Sequence, residues 1–69
     1  MNKPLDIVAR EFKSEFQRLD LKYGTHERGF EGRTKIEALC NMAQRIATAF
    51  NLEGAARQEF LIACDLYKA

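Results

Sequence analysis

The chain has 69 residues, 46% of them hydrophobic and 30% charged, and a formal net charge of +1 from 11 basic and 10 acidic side chains. That composition excludes a disordered tail and sets the size of one domain. A charge so near balance lacks the basic excess on which non-specific nucleic-acid binding depends, and no acidic block suggests a nucleic-acid mimic.

The first element is expected as a helix over about 4–23. Pro4 suits a first turn, where its missing N–H costs nothing. Leu5, Val8, Phe12, Phe16, Leu19 and Tyr23 follow at gaps of three and four, and with Ala9 they fill an arc of roughly 100° on a helix. The remaining faces alternate acid and base, the pattern of a solvated surface. Ile7 and Leu21 fall on the side opposite the stripe.

Gly24, Gly29 and Gly32 then punctuate a stretch read as a loop over 24–33. A connection of that length in so small a domain needs a reason in packing or function. Arg28, Arg33 and Lys35 flank Phe30 there, a combination favoured at binding hot spots. The ring of Phe30 is expected to tuck inward as an anchor of the loop, with partner contact as the alternative. Glu27 and Glu31 dilute the basic character.

Thr34-Lys35-Ile36-Glu37 matches a capping box and places the start of a second helix, over about 35–50. Ile36, Leu39, Ala43, Ile46 and Phe50 form its stripe, with Cys40 and Ala47 on the same face and Met42 at its flank. Asn51-Leu52-Glu53-Gly54 is the next break, where Asn51 either takes the left-handed conformation after one helix or caps the start of the next.

The last helix is expected over about 53–67. Ala55, Ala56, Phe60, Ile62, Ala63, Leu66 and Tyr67 cover more than half its circumference, and Leu61 and Cys64 extend that cover. A helix apolar on most sides is either central or left with a face for a partner. The expected architecture is therefore all-α: a long amphipathic helix, a glycine-rich loop and a helical hairpin. Its core would comprise Phe12, Phe16, Leu19, Ile36, Leu39, Ile46, Phe50, Phe60 and Ala63.

No residue pattern announces catalysis. His26 lies in the loop, Ser14 on a polar face, and neither Cys40 nor Cys64 has a sequence neighbour that would activate it. His26, Cys40 and Cys64 would make three metal ligands only if the loop folded over the helices, so both cysteines are read as small core hydrophobes. The glycines do not match a phosphate-binding fingerprint. No cofactor, metal or small-molecule substrate is expected.

Two cysteines are too few for a disulfide framework, which favours free thiols in a reducing cytoplasm. Met1-Asn2-Lys3-Pro4 leads into a charged amphipathic stretch, so the chain is expected to start without a signal peptide. The run Phe60 to Cys64 is far too short for a membrane span.

Ile46-Ala47-Thr48-Ala49-Phe50-Asn51-Leu52 is similar to the first helix and turn of a helix-turn-helix. Past the turn the likeness weakens. Arg57 falls where that motif has a buried aliphatic residue, and only Arg57 and Gln58 remain to read bases. A degenerate motif using Arg45, Arg57 and Gln58 is the alternative reading. The leading one is a small protein-interaction module, acting as regulator, inhibitor or assembly adaptor. Many short chains of this kind come from mobile elements, which is a prior about small genes only. The apolar surplus, with Leu61 expected opposite the main face of the last helix, points to a homodimer or a stable partner. The expected partner-binding residues are Arg28, Phe30, Arg33, Lys35 and Leu61.

Overall fold

A computed structural model describes residues 3–24 and 27–67. Among these the chain forms α1 (Lys3–Tyr23), α2 (Gly29–Ala49) and α3 (Gly54–Ala63), with no strand. This is an all-α three-helix domain in which α1 packs against both partners and α2 and α3 form a hairpin. No helix among the described residues is long and apolar enough to cross a membrane.

Helix α1 follows its stripe. Leu5, Ala9, Phe12 and Leu19 are buried, and Val8, Phe16 and Tyr23 pack beside them half-buried. Asp6 in the first turn and Lys22 in the last complement the helix dipole. Gly24 closes the helix at φ 84°, its N–H donating to the Asp20 carbonyl at 2.8 Å. That left-handed position is the usual role of glycine after a helix.

Helix α2 begins more than a turn earlier than the capping-box pattern implies, so the connection shrinks from 24–33 to 24–28. Thr34 is inside the helix. Its hydroxyl donates back to the Phe30 carbonyl at 2.8 Å, the bond an interior threonine makes in place of a cap. The helix starts after Arg28, whose side chain makes no cap hydrogen bond. Gly32 explains why a glycine-rich stretch is helical. A Cβ there would stand 2.7 Å from Tyr23 Cβ and 2.8 Å from Arg28 Cβ. Glycine at this point reflects close approach of two elements, and the contact offsets its poor helix propensity.

The buried stripe of α2 is Gly32, Ile36, Leu39, Ala43 and Ala47, with Cys40 and Ile46 half-buried. Phe50 is a correction to the expected core. It lies just past the helix, 48% exposed, because the chain turns there. Asn51 takes φ 58°. Its N–H donates to Thr48 O at 3.0 Å and that of Leu52 to Ala47 O at 2.9 Å. This pair of bonds is a Schellman ending.

Helix α3 ends by the same device, four residues short of the expected Tyr67. Asp65 takes φ 64°, its N–H donates to Ile62 O and that of Leu66 to Leu61 O, each at 2.9 Å. The reversal drives Leu66 into the core, where it is buried. The shortened helix is not apolar all round: Phe60, Leu61 and Cys64 face inward and Ile62 faces out. Ala43, Ala47 and Phe60 have no exposed surface, the small residues making room for the ring.

Candidate protein-binding surface

Where α1 and α2 pair, their stripes leave depressions that no α3 residue lines. Ile7, Val8, Phe12 and Leu39 line an apolar groove of about 290 Å³ edged by Glu11 and Glu15. Register puts these residues together: positions 8, 11, 12 and 15 share one side of α1, and Ile7 flanks it. Glu15 and Leu39 also border a second depression of about 220 Å³, lined by Arg18, Leu19, Lys35, Ala38 and Met42. The two form one strip along the helix pair. Ile7 and Met42 stand 60% and 54% exposed on it.

Charge is graded along this strip. Glu11 makes no ion pair among the described residues and marks one end. Arg18 and Lys35 mark the other. Arg18 forks onto Glu15, Nε donating at 3.1 Å and Nη2 to the second oxygen. That hydrogen bond holds the Glu15 carboxyl below its usual range and raises Arg18. Lys35 stands 4.0 Å from Glu31.

The residues expected to bind a partner divide. Phe30 is 80% exposed on the first turn of α2, so it does not tuck inward. Its backbone is helical, and the residue that packs inward there is Gly32. Arg33 is exposed beside it, within reach of the Gly29 carbonyl at 3.4 Å. Lys35 turns toward the strip. Arg28 is a structural residue instead. Its Nη2 donates to Asp20 Oδ1 at 2.7 Å, and the guanidinium lies 5.8 Å from the Phe16 ring centroid. Leu61 is buried at 5% exposure, on the side of α3 that also carries Phe60 and Cys64, and it offers no contact surface.

The residues of the nucleic-acid alternative divide as well. Arg45 and Gln58 are exposed. Arg57 is half-buried and spent within the fold. Its Nε and Nη2 donate to Gln44 Oε1 at 3.0 and 2.6 Å, and Nη2 to Gln44 O at 3.2 Å. Its Nη1 donates to Thr48 Oγ1 at 3.2 Å and Leu52 O at 3.3 Å. The charge at an apparently aliphatic position is thus a latch between the end of α2 and the start of α3.

A third cleft, of about 230 Å³, lies among Phe16, Arg28, Ile36, Cys40, Leu66 and Tyr67. Cys40 is half-buried in its wall and Cys64 is buried in the core, both free. Burial pushes the Cys64 thiol up to about 11. Among the described residues no group of three His, Cys, Asp or Glu is placed to hold a metal, and His26 lies outside them.

Sequence reasoning missed Val8, Glu11, Glu15, Leu39 and Met42 as members of one surface. Ile7 and Met42 were visible as apolar residues off their stripes, but only the pairing of two helices brings them to one strip. No protein-family model, curated protein or solved structure matches the chain.

Proposed function

We propose that this protein is a non-enzymatic protein-interaction module, a small regulator, inhibitor or assembly adaptor that acts through the α1–α2 strip. The observation that supports it is the groove of Ile7, Val8, Phe12 and Leu39, continuous with exposed Met42. Apolar surface gathered in a concave strip with charged edges is the form of a docking site, whereas single exposed apolar residues are ordinary. Phe30 with Arg33 is a smaller second contact on the same chain. The free cysteines fit a cytoplasmic protein. The nucleic-acid alternative loses its principal side chain, since Arg57 is committed to Gln44, Thr48 and Leu52.

A photoreactive residue in place of Ile7, activated in living cells, tests the reading. The expected result is a discrete covalent adduct to protein, either another copy or a different chain, that Met42→Glu abolishes. Absence of any protein adduct, with the protein folded, would overturn it.

A further inference from the structure

We infer that the reversal after α3, residues 65–67, is a strap that opens locally and gates access to the cleft holding Cys40. Two chain endings of one design carry the inference. After α2 and after α3 the chain turns through a left-handed residue that is not glycine, Asn51 at φ 58° and Asp65 at φ 64°. Each turn is closed by the same pair of backbone hydrogen bonds. The first turn is clamped as well. Arg57 Nη1 donates to the Leu52 carbonyl at 3.3 Å and to Thr48 Oγ1 at 3.2 Å. The second has no such clamp: among the described residues no side-chain hydrogen bond or ion pair reaches Asp65, Leu66 or Tyr67. Two backbone bonds and the buried side chain of Leu66 hold it, against the cost of a left-handed conformation at a residue that carries a Cβ.

The strap lies over a defined place. Asp65, Leu66 and Tyr67 line the cleft of about 230 Å³ together with Phe16 of α1 and Ile36 and Cys40 of α2. Releasing these three residues opens the cleft and uncovers the half-buried Cys40 thiol, while Phe60 and Leu61 keep α3 docked. Segments secured by few buried contacts open at free energies below that of global unfolding. Cys64 has no exposed surface and sits in the core itself. The accessibility of Cys40 therefore answers to a local equilibrium, and that of Cys64 to unfolding of the whole domain.

Iodoacetamide labelling of the folded chain at low urea concentrations, with the two cysteines resolved by mass spectrometry, tests this. Cys40 is expected to react more slowly than in the urea-unfolded chain, at a rate nearly independent of urea. Cys64 labelling should climb with urea, because global unfolding exposes far more surface than release of a strap. Asp65→Gly removes the left-handed penalty from the closed strap and should slow Cys40 labelling about threefold. Leu66→Ala removes the anchor and should speed it about tenfold or more. Circular dichroism verifies that each variant is folded, and Asp65→Gly decides alone if Leu66→Ala is not.

Cys40 labelling at the unfolded-chain rate would show that the strap covers nothing. Cys40 and Cys64 accelerating together in urea would rule out local opening. An unchanged Cys40 rate in Asp65→Gly would overturn the strap as the gate.

Discussion

The two connections of this domain are built on opposite principles. Between α1 and α2 the chain relies on the absence of a side chain: Gly32 lets Tyr23 approach to a distance no Cβ would permit. Between α2 and α3 it relies on a large one, Arg57, whose guanidinium collects the Gln44, Thr48 and Leu52 oxygens. The first joint is steric and tolerates nothing added. The second is polar and tolerates nothing removed. Glycine marks freedom at Gly24, where φ is positive, and contact at Gly32.

The contrast is broken most directly at Gly32. Were it an ordinary helix-interior glycine, Gly32→Ala would stabilise α2 by about 1 kcal/mol. The close approach to Tyr23 predicts the opposite sign, a net loss of about 2 kcal/mol from overpacking, read from urea unfolding. A stabilised Gly32→Ala would show that the joint is not steric.

Arg57 comes next. Arg57→Ala leaves Gln44 Oε1 and the Leu52 carbonyl without their donor and should cost about 1–2 kcal/mol. Arg57→Lys keeps the charge but loses the planar fork, so it should recover only a minority of that loss. Full recovery by lysine in the same unfolding measurement would mean that charge alone suffices.

Cys64 sharpens the comparison from the core between the joints. Its thiol titrates near 9.0 when unhindered and at about 11 in the fold. Below pH 9 both folded and unfolded chains hold the proton, and the stabilisation is complete. As pH rises from 9 to 11 the unfolded chain releases the proton and the folded one does not, so stability falls through that window. At pH 10 the loss is on the order of 1 kcal/mol, and Cys64→Ala should flatten this part of the pH profile. Alkylation followed by mass spectrometry should modify half-buried Cys40 before Cys64.

The smallest effect belongs to Phe30. Its ring is exposed beyond the first joint, and Phe30→Ala should change stability by less than about 0.5 kcal/mol. A large destabilisation on thermal melting would mean that the ring is part of the joint after all.

Much of this fold was legible in the residues. The stripe from Leu5 to Tyr23 dictates α1 and its buried face, and Asn51 marks the left-handed turn after α2. What failed had a common cause. Gly32 was read as a breaker because local propensity cannot register a neighbouring helix, and that error carried Phe30 into the loop and Thr34 to a cap. Leu61 was misplaced because a segment apolar on most sides does not reveal which of its faces meets the core. The surface was less legible than the fold. Ile7 and Met42 stand far apart in sequence, and no pattern in either helix shows that they border one strip. Arg57 was recognised as anomalous, but its partners Gln44 and Thr48 look like ordinary surface residues.

The reversal at Asp65 also bears on how the chain reaches its native state. Helix α3 has ten residues, too few to persist alone in water. It becomes stable only when Phe60, Leu61 and Leu66 meet the other helices, and Leu66 is delivered by that final turn. With short connections elsewhere, α1 and α2 can associate first as a hairpin, and docking of α3 completes folding. Chains dominated by such local contacts fold on a timescale of roughly microseconds to milliseconds. Temperature-jump relaxation should show Leu66→Ala accelerating unfolding while leaving the folding rate nearly unchanged, the signature of a contact made after the transition state.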